Sequence, residues 1–126
     1  MSVSPKLVMV VEDDPDCLEA LCHVLRHQGY GVVTAVNGLE ALRALSGDPK
    51  PVLILLDLMM PVMDGWQFLD ERSRLPSLAQ IPVALLSGER EQRQRARDLG
   101  VARSIQKPVE LQGLLAAVHQ LVGPPD

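Results

Sequence analysis

Four short aliphatic runs and a weaker fifth candidate, each followed by a stretch with helical spacing, predict an α/β fold: a five-stranded, doubly wound parallel sheet with helices on both faces. The runs are near-continuously apolar rather than alternating, as strands buried on both sides require. The chain has 126 residues, enough for one such domain and too few for two. A single domain over residues 1–126 is therefore expected, with its core at about 6–122 and a tail at 123–126.

Taken in order, Leu7 to Val11 is the first strand, rich in valine and free of breakers. Asp14 then offers a cap and Pro15 a first helical residue, and Leu18, Leu21, Cys22 and Leu25 recur at helical spacing before Gly29 supplies a left-handed stop. Val32 to Val36 is the second strand, and Ala41, Leu42 and Leu45 mark the helix after it. Val52 to Leu56 is the third, followed by a helix over Trp66 to Leu75 with Asp64 at its cap. Ile81 to Leu86 is the fourth, and a helix over Arg90 to Leu99 ends at Gly100. Ala102 to Ile105 is the fifth strand. The last helix, Glu110 to Val122, gathers Leu111, Leu114, Leu115, Val118 and Leu121 on one side. The crossovers joining parallel strands should be right-handed.

Composition narrows the functional classes. Hydrophobic residues make up 47% of the chain and aromatic ones 2%, so the core must be aliphatic. The net charge of −4 argues against direct binding to nucleic acid, which needs an excess of Lys and Arg. No apolar run reaches the roughly 20 residues that span a bilayer, and no export signal opens the chain. Cys17 and Cys22 fall about 140° apart around one helix and cannot bridge each other. These features together predict a cytoplasmic protein.

Ligands of open parallel sheets bind at the carboxyl ends of the strands. The first strand ends in Glu12, Asp13 and Asp14, the third in Asp57, the fourth in Ser87 and Gly88, and the fifth in Lys107 and Pro108. If the first and third strands are neighbours, Asp13 and Asp57 lie about 5 Å apart. At an effective dielectric near 20 two such charges repel by roughly 3 kcal/mol, which a shared proton or a bound cation must offset. Hard oxygen donors in an open crevice favour Mg²⁺ (or Mn²⁺). With Lys107 as a second cation, the set suits phosphoryl transfer onto Asp57 as nucleophile. Ser87 offers a hydroxyl to a phosphoryl oxygen, and Gly88 leaves room for the group to enter.

The pattern resembles the receiver domains of two-component response regulators from about Lys6 to Val122. The acidic cluster of Val11 to Asp14, the stretch Asp57-Leu58-Met59-Met60-Pro61-Val62-Met63-Asp64-Gly65, Ser87 and the pair Lys107-Pro108 occur in that family's order and spacing. The resemblance implies a (βα)5 flavodoxin-like fold with strand order 2-1-3-4-5. It implies Asp57 as phosphoacceptor, metal ligation by Asp13, Asp57 and the Met59 carbonyl, and Glu12 in the acidic surroundings. Ser87 and Lys107 would contact the phosphoryl group, and the Lys107–Pro108 peptide would be cis. The donor would be phosphohistidine on a histidine kinase or a histidine phosphotransfer domain, and the reader an unknown downstream protein. Such a domain catalyses only its own phosphorylation and dephosphorylation. Kinase docking would fall on Cys17, Ala20, Glu89 and Pro108.

Several residues have plainer readings. Asp14 and Asp64 suit helix caps. His23 and His27 have metal-ligand spacing but no third ligand, which favours surface residues. Arg90, Arg93 and Arg97 form a stripe whose default is a solvated face, with an acidic partner as the alternative. Trp66 and Phe68 suit packing. The sequence departs from the family at Ser104, where Tyr or Phe is frequent, and at Val109, where an aromatic is also common. Signalling by an aromatic rotamer switch is thus not expected; loops around Ser87 and the helix from Arg90 to Leu99 would respond instead. Three other functions compete with this one: a module that binds partners without phosphorylation, a metal-dependent phosphohydrolase and a flavin-binding protein. Met59 stands where the hydrolase needs a second acid, and Glu12, Asp13 and Asp14 would repel a flavin phosphate.

Overall fold

The computed structural model describes residues 5–87, 89–107 and 109–125, except for the side chain of Ser87. Five strands alternate with helices along the chain: β1 (Leu7–Val11), α1 (Pro15–His27), β2 (Gly31–Ala35), α2 (Gly38–Leu45), β3 (Leu53–Asp57), α3 (Gly65–Ser73), α4 (Pro76–Ala79), β4 (Val83–Ser87), α5 (Arg90–Asp98), β5 (Arg103–Gln106) and α6 (Leu111–Val122). The sheet order is β2-β1-β3-β4-β5, with every pairing parallel. This is the flavodoxin-like order that the resemblance implied.

Alternate residues of each strand point to opposite faces, and this alternation builds two separate cores. Met9, Val11, Ile54, Leu56, Val83 and Leu85 pack with Ala41, Leu45, Phe68 and Ala96, placing α2, α3 and α5 on one face. Val8, Val10, Leu53, Leu55, Ala84 and Leu86 pack with Leu21, Leu25, Leu114 and Val118, placing α1 and α6 on the other. Both sides of β1 and β3 are therefore apolar, which is why these strands show no polar alternation.

The helix starts follow local chemistry. The Asp14 side chain accepts from the Asp16 N–H at 3.2 Å, and Asn37 accepts from the Glu40 N–H at 2.8 Å. Asp64 and Gln67 form a reciprocal capping box, with bonds of 2.9 and 3.0 Å. Gly29 and Gly100 take φ values of +102° and +87°, the left-handed stops expected of them.

The expected elements shift by a residue or two at several ends. β2 begins at Gly31 and releases Val36, while β3 loses Val52 and takes in Asp57. β4 begins at Val83, after Pro82, whose missing N–H makes it a poor strand member. The short helix α4 was not expected; four residues are too few to display a helical period. Arg72 was not expected inside, yet it is only 5% exposed. Its guanidinium donates to the carbonyls of Ala79, at 3.0 Å, and Ile81, so the long side chain ties α3 to the entry of β4.

Candidate functional site

Strand register brings the chemistry together. Val11 pairs with Leu56 and Asp57 with Leu86, so residue 12 leaves the sheet beside residue 57. At the far side Ser87 pairs with Gln106, which puts Lys107 at the same edge. Glu12 is held by a bond from its N–H to the Ala35 carbonyl, at 3.0 Å.

The loop between β3 and α3 is fastened at both ends. The Gly65 N–H donates to the Leu58 carbonyl at 2.9 Å, and a Cβ at Gly65 would lie 2.7 Å from the Leu58 Cα. Only glycine permits α3 to start this close to the end of β3. Gly38 plays a similar part from α2: its N–H donates to the Met63 carbonyl at 2.8 Å, and a Cβ there would lie 2.8 Å from the Met63 side chain.

Carboxylate oxygens of Glu12, Asp13 and Asp57 lie within 4.8 Å of one another. Glu12 and Asp57 are 2% and 5% exposed, whereas Asp13 is open to solvent. The Lys107 Nζ stands 3.2 Å from Asp57 Oδ1 and 3.9 Å from Glu12 Oε2. Glu12 Oε2 is buried and has no hydrogen-bond partner among the described residues. The Met59 N–H approaches Asp57 Oδ1 at 3.5 Å, at the limit of a hydrogen bond, while the Met59 side chain is exposed.

The electrostatics reflect this crowding. Burial first, and then the adjoining Asp57 carboxylate, push Glu12 up to about 7. Burial pulls Lys107 down, but the charges of Asp57 and Glu12 outweigh it and hold the ammonium above its ordinary range. The Cys17 thiol is raised by burial and by the charge of Glu12, which keeps it protonated. One lysine against three carboxylates leaves the pocket net negative. A buried oxygen without a hydrogen bond and an all-oxygen donor set fit a hard divalent cation.

The remaining expected residues fall into three groups. Asp14 is exposed and caps α1 outside the carboxylate cluster. The Ser87 side chain, Gly88 and Pro108, including the expected cis peptide, lie outside the described residues. Cys17 and Ala20 line a cavity of about 250 Å³ together with Glu12, Lys107, Val109 and Leu111, and Glu89 is exposed ahead of α5. His23 and His27 are exposed, with their rings stacked at 6.3 Å. Phe68 is fully buried, and Trp66 packs against the core with the Arg95 guanidinium 4.2 Å from its ring centre. The burial of Glu12 has no signal in the sequence, since a glutamate is exposed by default.

Comparison with known proteins matches residues 8–119 to the response regulator receiver domain. The chain is 36% identical over 117 residues to the phosphate regulon transcriptional regulatory protein PhoB of Escherichia coli, covering 91% of this chain and 51% of PhoB. It thus spans about half the length of that relative. The signal receiver domain of a signal transduction histidine kinase from Syntrophus aciditrophicus superposes with a TM-score of 0.84 at 34% identity, over 93% of this chain and 89% of that one. The Mn²⁺-bound form of response regulator Rcp1 superposes with a TM-score of 0.77 at 30% identity, over 92% and 91%.

Proposed function

Because the chain belongs to the response regulator receiver domain family, we propose that Asp57 accepts a phosphoryl group from phosphohistidine on a histidine kinase or a histidine phosphotransfer domain. Asp13, Asp57 and the Met59 carbonyl hold Mg²⁺ or Mn²⁺, with Glu12 behind them. The observation that carries this reading is the convergence of three carboxylates within 4.8 Å, with Lys107 3.2 Å from Asp57. The manganese in Rcp1 supports the choice of metal.

An Asp57 carboxylate oxygen attacks phosphorus as the N–P bond of phosphohistidine breaks. The electron pair leaves on the imidazole nitrogen, which then takes a proton. Lys107 steadies the Asp57 carboxylate before transfer and can pair with an arriving phosphoryl oxygen afterwards. When bound, the divalent cation offsets negative charge on the phosphoryl oxygens. Ser87 takes the role that the resemblance assigns, hydroxyl donor to a phosphoryl oxygen, and Gly88, having no side chain, leaves room for the group to enter. The phosphorylated form then changes its affinity for a downstream protein, and the chain turns over no separate substrate.

Incubation with Mg²⁺ and a small phosphoryl donor, followed by intact mass, tests the core of this reading. One phosphate should add to the native chain and none to Asp57→Asn; an adduct that survives the substitution refutes the assignment. The small and apolar groups at Cys17, Ala20 and Val109 beside the charged pocket suit a helical kinase partner, and the resemblance adds Glu89 and Pro108 as docking residues. A charged residue at Ala20 should therefore slow transfer from the kinase more than from the small donor. Equal slowing would remove docking from this surface.

A second reading draws on Ser104. It is half-buried where the family often carries an aromatic ring, which suits a module that binds its partner regardless of phosphorylation. Unchanged partner binding and signalling in Asp57→Asn would favour that module.

A further inference from the structure

The side of the protein formed by α5 and β5 carries a second charged site, separate from the carboxylate pocket and of the opposite sign. Arg90, Arg93 and Arg97 from α5 and Arg103 from β5 line one cavity of about 580 Å³, with Gln94 and Ser104 between them. No acidic side chain lines it among the described residues. Arg90, Arg93 and Arg97 make no ion pair with any described residue. Arg103 spends one nitrogen on Gln120 of α6 and keeps the rest of its fork.

Two placements in this cluster bring the helix no local benefit. Arg90 is the first residue of α5, at the positive end of the helix dipole, where a cation is unfavourable. Arg90 and Arg93 are three apart and Arg93 and Arg97 four apart, spacings at which like charges repel. The chain as a whole has 16 acidic and 12 basic residues, so without these four arginines it would carry a larger net charge of the same sign. General solubility therefore gives no reason for the stripe. Arg95, on the same helix, is employed differently, over the Trp66 ring. Four arginines lining one cavity with no acidic side chain among them suit an anion as occupant.

We infer that this cavity binds a compact polyphosphate group, a diphosphate or triphosphate, whether free or carried by a nucleotide. Three features favour that class. The volume lies in the range of small-ligand sites, roughly 300–1,000 Å³. The arginines converge on one hollow from two elements, along a helical row about 10 Å long, which suits several linked phosphates better than one carboxylate. The only apolar contributions are Val101 and Ala102, so the cavity lacks the aromatic or large aliphatic anchor typical of a protein interface. It also lacks a ring on which a base could stack, so recognition is of the phosphates.

Calorimetric titration of the full chain in Mg²⁺-free buffer at near-physiological salt, with tripolyphosphate, ATP and adenosine as separate probes, tests the inference. Tripolyphosphate and ATP should bind and adenosine should not. Arg93→Gln and Arg97→Gln should each weaken tripolyphosphate by about tenfold or more, while Arg26→Gln on α1 leaves it unchanged. Equal affinity for the two phosphate ligands identifies free polyphosphate chemistry as sufficient; markedly tighter ATP identifies a nucleotide source. Both arginine variants should melt no lower than the native chain and still take phosphate on Asp57, so loss of binding is not loss of fold. Absence of binding, or binding indifferent to the arginine substitutions, overturns the inference. So does tighter binding of a hexaglutamate peptide than of tripolyphosphate, which would make the groove a seat for an acidic protein segment.

Discussion

The acidic pocket and the arginine groove sit on opposite kinds of strand. β1 and β3 lie inside the sheet with neighbours on both sides, and every residue of β3 is buried. β5 is an edge strand with one neighbour, and its burial runs exposed, half-buried, half-buried, exposed. Carboxylates that repel one another while buried need a rigid frame, because any slack would let them move apart and lose the cation site. Arginines on an exposed helix and an edge strand keep most of their hydration, so their frame can be looser. Densely packed strands frame the carboxylates, whereas the flank that carries the arginines is more loosely packed.

The largest effect should come from attacking that frame directly. Leu55 of β3 is fully buried, while Ile105 of β5 faces the same core only half-buried. Leu55→Ala should cost about 3–4 kcal/mol and Ile105→Ala about 1 kcal/mol, read from urea unfolding midpoints. Similar losses would mean that the two strands are held equally well, and the contrast would collapse.

The next effect, at most about 3 kcal/mol, concerns the repulsion the frame must withstand. Glu12 has its folded pKa raised from 4.5 to about 7, so between those values the folded chain binds more protons than the unfolded one. The associated stability is therefore present at pH 4.5 and below, and is lost as pH rises through 7. Metal-free protein should unfold at progressively lower urea from pH 5 to pH 8. Saturating Mg²⁺ should flatten the trend, as should Glu12→Gln. A Mg²⁺-independent profile would show that the carboxylates are not a shared cation site.

Lys107 joins the two regions, because it follows β5 yet ends 3.2 Å from Asp57. Lys107→Ala should slow phosphoryl transfer by about a hundredfold, close to 2.7 kcal/mol of barrier. The same change removes a positive charge from the pocket, so Mg²⁺ should bind a few-fold tighter. Opposite signs in the two measurements are the signature of a charge role; weaker metal binding would point to a collapsed pocket instead.

How much of this was legible beforehand tracks the same contrast. β1 was read with its observed bounds, since a run buried on both faces has an unbroken apolar signature. β5 reads Arg103-Ser104-Ile105-Gln106, with almost no such signature, and is legible chiefly from Lys107 and Pro108 after it. The approach of Asp13 to Asp57 is readable once strand order is assumed, because Asp57 ends one buried strand and Asp13 follows closely on another. Three features are not. Arg72 and Glu12 are buried charges, and residue type alone argues against both. The stripe of Arg90, Arg93 and Arg97 was visible, but its union with Arg103 depends on how α5 packs beside β5, which no local pattern encodes.

The smallest effect belongs to the loop that leaves the rigid region. Val62 takes φ = +67°, and the Met63 N–H donates to the Pro61 carbonyl at 2.8 Å, closing a three-residue turn around it. A β-branched residue there is strained, and at 76% exposed it makes little packing to offset the cost. Relief of the left-handed backbone is worth about 1–2 kcal/mol, while glycine gives back about 0.4–1 kcal/mol through the freer unfolded chain. Val62→Gly should therefore stabilise the protein by about 0.5–1 kcal/mol, and Val62→Ala, which keeps a Cβ, by clearly less. The strain lies in the loop between Asp57 and the Asp64 cap, which also carries Met59. If Val62→Gly stabilises the chain and leaves Mg²⁺ affinity unchanged, the strain is separate from the pocket. If affinity falls as stability rises, the bent loop is what presents the Met59 carbonyl, and the rigid frame extends beyond the strands to include it.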